Sequence, residues 1–229
     1  MKNIAIITAR GGSKRIPRKN IKDFLGKPII CYSIEAALAS GMFDEVMVST
    51  DDEEIAQIAK EAGANVPFMR SNENANDFAT TDDVLLEVLK QYKDMGQEYD
   101  VMACLYPTAP FVTAEKIRSA FDIFDKSEAE GLMPVVAFSF PPQRGMIEKE
   151  GCLVYQYPEN AAKRSQDLET VYHDCGMFYL YDAKAFLCKN ADITQYVPMV
   201  MKETEIQDID NETDWLLAEM KYKLLQEIK

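Results

Sequence analysis

The sequence predicts an α/β fold, a mostly parallel twisted sheet with helices on both faces, in a single domain over 1–229 that carries a small inserted arm at 139–166. Three observations predict it. Short apolar runs alternate with segments of helical periodicity, the pattern that lays parallel strands between two helical layers. The first apolar run ends at once in a loop of glycines and cations. The alternation stops once, between Ser139 and Gln166, and then resumes.

Asn3 to Ala9 is too short and too uniformly apolar for an amphipathic helix and predicts a buried strand. Pro28 stands where a helix begins, Ile29 to Ser40 is apolar at helical spacing, and Gly41 ends it. Glu45 to Ser49 predicts a strand. Asp51 is expected to cap a helix running to Ala62, with Glu54 as its capping-box partner, and Val66 to Met69 to form a strand. Thr81 to Met95 predicts a helix, Val101 to Leu105 a strand, and Tyr106 to Phe111 a segment turned by two prolines. Thr113 to Lys126 is helical, with Ile117, Ala120, Phe121 and Phe124 on one face, and Leu132 to Phe138 is extended. In the arm, Pro141, Pro142, Gly151 and Pro158 interrupt β-prone pieces around Cys152 to Tyr157. A strand at Met177 to Tyr181, a short helix from Asp182, a strand at Val197 to Met201 and a helix from Asn211 to Gln226 follow. Ligands of such sheets sit beyond the C-terminal ends of the strands.

Composition narrows the chemistry. A chain of 229 residues with 47% hydrophobic content buries a substantial core. A net charge of -13 argues against a nucleic-acid or anionic-membrane partner, both of which need a basic field. The five cysteines are odd in number, widely spaced and lack CxxC, so they read as reduced thiols rather than a disulfide framework or zinc site. With no secretory apolar region and no apolar run near membrane-spanning length, the expected location is cytoplasmic. The single histidine, His173, leaves carboxylates to carry any metal. A lone histidine is also an ordinary hydrogen-bonding structural side chain.

Residues 10–20 concentrate the charge that the rest of the chain lacks. Gly11 and Gly12 let backbone N–H groups approach an anion, and Arg10, Lys14, Arg15, Arg18 and Lys19 supply five positive charges, a combination suited to a polyphosphate. The spacing matches neither GxxxxGKS/T nor GxGxxG, which disfavours P-loop and dinucleotide oxidoreductase assignments. Far along the chain, Asp208-Ile209-Asp210 turns two carboxylates to one face when extended. Mg²⁺ takes such ligands, and an acidic lead into the terminal helix gives the same pattern, so the spacing alone leaves both open.

The string from Ile7 to Asn20, Val48-Ser49-Thr50-Asp51, Pro107-Thr108-Ala109-Pro110 and Asp208-Ile209-Asp210 together resemble the CMP-sialic-acid synthetase family of cytidylyltransferases over nearly the whole chain. The resemblance implies a nucleotide-diphospho-sugar transferase-like fold, a homodimer built through the arm, CTP and an acidic sugar as substrates, and Mg²⁺. It implies that Ala9, Arg10, Gly11, Gly12, Ser13 and Lys14 wrap the triphosphate, that Lys19 and Asn20 contact the nucleotide, and that Arg70, Ala79 and Thr81 read the cytosine. Asp208 and Asp210 would bind Mg²⁺, and Arg10, Lys19 and the two aspartates would serve catalysis. Within the family, Arg164 to Leu168 and Tyr172-His173-Asp174 look most like the branch that acts on pseudaminic acid. Tyr106, Val112, His173 and Cys175 stand where sialic-acid enzymes carry other polar groups, which favours a less hydroxylated sugar tail. Arg164 would pair the sugar carboxylate, across the dimer. An N-acetylneuraminate or legionaminate synthetase is the alternative within the family, and a non-catalytic nucleotide-binding protein the alternative outside it.

Overall fold

The computed structural model describes residues 1–188 and 193–227. In chain order these form β1 (Asn3–Thr8), β2 (Asp23–Phe24), β3 (Lys27–Pro28), α1 (Ile30–Ser40), β4 (Glu45–Ser49), α2 (Glu53–Glu61), α3 (Thr81–Asp94), β5 (Val101–Leu105) and α4 (Ala114–Phe124). There follow β6 (Gly131–Ala137), β7 (Met146–Lys149), β8 (Cys152–Tyr155), β9 (Tyr172–Asp174), β10 (Phe178–Asp182), α5 (Ala183–Cys188), β11 (Tyr196–Val200) and α6 (Glu212–Glu227).

The main sheet has seven strands in the order β11-β6-β10-β5-β1-β4, with β9 paired to β6. β4, β1, β5, β6 and β11 run in one direction, while β9 and β10 run against them, so the sheet is mostly parallel. Ile4 to Ile7 of β1 have no exposed surface. Alternate residues serve opposite faces: Ala5 and Ile7 join one core with α1, α2, α4 and α6, and Ile4 and Ile6 join the other with α3 and α5. Helices therefore cover both faces, as the alternation predicts.

Two local expectations are corrected. Val66 to Met69 is not a strand; only Asn65 pairs with β4, through Asn65 N to Val46 O at 2.8 Å and Val48 N to Asn65 O at 2.9 Å. Pro67 has no N–H with which to continue the ladder. The cap of α2 is Asp52, not Asp51: Asp52 Oδ1 accepts from Glu54 N and Ile55 N, both at 3.0 Å. Asp51 instead accepts from Gly11 N at 3.0 Å, and the Glu54 side chain turns to Arg18.

The excursion between β6 and β9 is wider than 139–166, since its base is closed by Phe138 N to Val171 O at 3.0 Å and Gln143 Nε2 to Glu169 O at 2.8 Å. At its centre β7 and β8 form an isolated hairpin. Glu150 and Gly151 make its two-residue turn with φ of 52° and 78°, the left-handed geometry tight hairpins require. Phe140, Met146, Leu153 and Tyr157 lie exposed on this arm, Leu153 at 72%.

Candidate active site

The cationic loop leaves the C-terminal end of β1 and borders a cavity of about 490 Å³. Ala9 donates its N–H to Ser49 O at 3.0 Å and is fully buried, so it fastens the loop to β4 instead of facing the cavity. A Cβ on Gly11 would come within 2.7 Å of Asp52 Oδ2, which is the local reason for glycine there. Neither Gly11 nor Gly12 lines the cavity. Arg10, Ser13, Lys14, Lys19 and Asn20 do, together with Arg70 and Ala79 from the α2–α3 connection, Thr81 at the start of α3, Tyr106 after β5, and Asp210. Residues scattered over 200 positions thus meet around one cavity at the strand ends.

The loop's charges are already matched. Arg10 Nη1 lies 2.7 Å from Asp77 Oδ1, and Lys14 pairs with the other oxygen of the same carboxylate. Arg15 pairs with Asp210 at 2.8 Å. Lys19 Nζ donates to the Ile209 carbonyl at 2.7 Å and stands 4.0 Å from Asp210. Burial lowers the Lys19 pKa, with Asp210 and Asp208 opposing the shift. Arg18 has left-handed backbone, φ 55°, which turns it away from the cavity to Asp52 and Glu54. That contact holds the Asp52 carboxyl below its usual range. Asn20 is buried and donates Nδ2 to Arg10 O at 2.8 Å, bracing the loop from within.

Arg70 forms the opposite wall. It is 8% exposed, donates Nε to Ser49 Oγ at 3.1 Å and Nη2 to Ser49 O at 2.6 Å, and its pKa is lowered by burial while the guanidinium stays charged. Ala79 N donates to Asn76 Oδ1 at 3.0 Å, and Thr80 caps α3 reciprocally with Asp83, which fixes Thr81 at the helix start. Asp77 is the site residue that sequence reasoning missed; the Asn- and Asp-rich run from Asn72 to Asp77 was the available signal.

Asp208 and Asp210 alternate about Ile209, which has no exposed surface. They do not open on one space. Asp210 faces the first cavity, while Asp208 lines a neighbouring one of about 360 Å³ with His173 and Cys175. Asp208 is exposed at that cavity, and partial burial first, then the charge of Asp210, raises its pKa. The α6 start fixes the pair: Asp214 Oδ2 accepts from Asp210 N at 2.9 Å and from Asn211 N at 3.0 Å. Tyr106 lines the first cavity and reaches the wall of the second through Tyr179. Its ring meets Tyr179 edge-on at 5.5 Å, and Tyr179 Oη donates to Asp174 Oδ2 at 2.6 Å. Burial raises the Tyr106 pKa.

In the second cavity, His173 Nδ1 donates to the Asp174 carbonyl at 2.9 Å and its ring lies 4.7 Å from Phe138. Cys175 is buried, its thiol pushed up to about 12 by burial and Asp174, and is therefore neutral. One expectation is corrected. Val112 is a buried core residue that lines neither cavity, because the turn after Pro110 carries it towards α4. Arg164 lies on the arm, bonded to Asp167 at 2.7 and 3.0 Å, and also lines neither. No group of three or more His, Cys, Asp or Glu stands ready for a metal among the described residues, and no described helix is long and apolar enough to cross a membrane.

The sequence model of the Cytidylyltransferase family matches residues 4–229. The chain is 42% identical over 229 residues to a pseudaminic acid cytidylyltransferase of Campylobacter jejuni, covering 99% of each chain. It is 34% identical over 236 residues to a CMP-N,N'-diacetyllegionaminic acid synthase of Legionella pneumophila, again covering 99% of each. A CMP:2-keto-3-deoxy-manno-octonic acid synthetase solved with CTP shares the fold, with TM-score 0.68 at 18% identity over 99% of this chain and 100% of that one. Matched from its first strand to its last helix, the chain belongs to the cytidylyltransferase family.

Proposed function

We propose that this protein transfers CMP from CTP to the anomeric hydroxyl of pseudaminic acid, giving CMP-pseudaminate and pyrophosphate. The observation that carries the reading is the pair of adjoining cavities: a cationic one for the nucleotide and a second one for the sugar, meeting at Asp208-Ile209-Asp210. The identity to a pseudaminic acid cytidylyltransferase supports the choice of sugar.

In this reading Arg10, Lys14 and Lys19 hold the triphosphate, Ser13 and Asn20 keep their loop against it, and Arg70, Ala79 and Thr81 border the base. Tyr106, His173 and Cys175 line the path of the sugar. Asp208 and Asp210 offer the hard carboxylate oxygens that Mg²⁺ takes, and the charge of Asp210 adds to burial in raising the Asp208 pKa. Because they line separate cavities, an ion held by both would sit at the boundary between the two, beside Ile209. When bound, Mg²⁺ supplies charge neutralisation at the α-phosphate and the departing pyrophosphate. The protein's own work is alignment: Arg10 and Lys19 stabilise charge on the transferring phosphoryl group, and the buried Ile209 keeps the acidic pair in register with Lys19.

The apolar arm is read as the contact with a second copy, giving a homodimer. The net charge and thiols fit a cytoplasmic enzyme. Pyrophosphate release is the test, measured with CTP against ATP, GTP and UTP and with pseudaminic, N,N'-diacetyllegionaminic and N-acetylneuraminic acids. Release that requires CTP, pseudaminic acid and Mg²⁺ is expected; preference for another nonulosonic acid refutes the sugar assignment.

A further inference from the structure

The second cavity presents an electrostatic problem. Asp174, Glu203 and Asp208 line it, and three carboxylates repel an acidic sugar. In a nonulosonic acid the carboxylate is bonded directly to the anomeric carbon that carries the reacting hydroxyl, so its partner must share a wall with the carboxylates around that hydroxyl. Lys221 of α6 is the one lysine or arginine lining this cavity among the described residues. Its Nζ donates to the carbonyls of Glu203 at 3.2 Å and Ile206 at 3.0 Å. Both acceptors are neutral, and an ammonium has three N–H donors, so the carbonyls hold the group in place with one donor to spare, without an ion pair to a carboxylate among the described residues. Arg164, by contrast, spends its guanidinium on Asp167.

We propose that Lys221 is the residue that receives the substrate's carboxylate and makes the second cavity selective for acidic over neutral sugars. This rests on the reading that the chain activates a nonulosonic acid. The ammonium forms a charge-assisted hydrogen bond to the carboxylate, at a point anchored by the two carbonyls that precede the Asp208 segment.

The test compares wild type, Lys221→Gln, Lys221→Arg and Arg164→Ala with pseudaminic acid and its C1 carboxamide. Gln retains a donor for the carbonyls without the charge. K221Q is expected to raise KM for pseudaminic acid about tenfold to a hundredfold, the weight of one charge-assisted bond, with KM for CTP and the urea midpoint unchanged. K221R is expected to recover most of the loss. Wild type should handle the carboxamide poorly, and K221Q should handle it no worse than wild type does. An unchanged sugar KM in K221Q, an equal loss on acid and carboxamide, or a loss appearing in R164A instead overturns the assignment. Wild type that consumes CTP with none of the nonulosonic acids overturns the functional reading and this proposal with it, whereas wild-type turnover with an unaffected K221Q overturns the proposal alone.

Discussion

Replacing Ile209 by alanine removes a side chain with no exposed surface from between the two carboxylates of the site. Ile209 belongs to the same core as Trp215 and Ala218 of α6 and Met177 before β10. Buried Ile→Ala changes cost about 2–5 kcal/mol, and a position at the strand ends, where neighbours relax partly into the vacated space, belongs in the lower half, about 2–3 kcal/mol. For a chain of this size that corresponds to a fall in Tm of roughly 4–12 °C. The effect should not stop at stability. The Ile209 carbonyl holds Lys19 Nζ at 2.7 Å, and the next residue's N–H is fixed by Asp214, so a shifted backbone displaces a loop cation and a carboxylate together. Urea unfolding and pyrophosphate release on the same preparation measure both. Ile209→Val, at about 0.5–1.5 kcal/mol, should retain turnover, and Ile209→Ala should lose kcat beyond its folded fraction. An alanine variant within about 0.5 kcal/mol of wild type, below the range for buried aliphatics, refutes the role as core anchor. A destabilised variant with full kcat refutes the coupling of core to site.

The remaining predictions concern single contacts. Asp77 neutralises Arg10 and Lys14, so Asp77→Asn should tighten CTP binding about twofold to tenfold in calorimetry; weaker binding counts against a competing carboxylate. Arg70→Ala should raise KM for CTP at least about tenfold, the cost of losing a charged donor at the base edge, and equal KM values would remove Arg70 from the nucleotide site. Arg18 lowers the Asp52 pKa below its ordinary 3.8, so the ionised pair stabilises the fold above that value and the contribution disappears as pH falls through the lower folded pKa. Asp52→Asn should therefore cost about 0.5–1 kcal/mol near neutral pH, in line with a part-exposed pair, and the gap to wild type should close in acid; a gap constant with pH would assign the loss to the cap.

The sheet was largely legible because periodicity is local: the uniformly apolar β1 and the one-faced α4 are written in contiguous residues. Pro67 shows where such reading fails, since Val66 to Met69 is β-prone yet lacks the N–H that pairing needs. Which of Asp51 and Asp52 caps α2 depends on one backbone angle that spacing does not reveal. The glycine and cation content of residues 10–20 was legible as an anion site. The direction of each cation was not, because Arg18 is turned by a left-handed φ and Asp77 reaches Arg10 and Lys14 across more than 60 residues. Likewise the alternation of Asp208 and Asp210 was visible, while their facing different cavities follows from the placement of β9 and α6.

These pairings explain how an acidic chain uses a basic loop. Arg10 and Lys14 share Asp77, Arg15 and Lys19 attend Asp210, and Arg18 is held by Asp52 and Glu54, so each cation of the loop has a carboxylate partner elsewhere in the chain instead of standing as free positive charge. A triphosphate that enters displaces partners of two kinds. Asp77 is exposed on the connection between α2 and α3 and yields at little cost, since exposed ion pairs are weak. Asp210 is held through its N–H by Asp214 and pairs with Arg15. On the proposed reading, a divalent cation that takes the charge of Asp210 frees the neighbouring loop cations for the nucleotide, so each ligand lowers the work of placing the other, as any shared free-energy coupling requires. Selectivity for a polyphosphate over a single anion follows from this exchange, because only a ligand that satisfies Arg10, Lys14 and Lys19 together replaces what the two aspartates already provide.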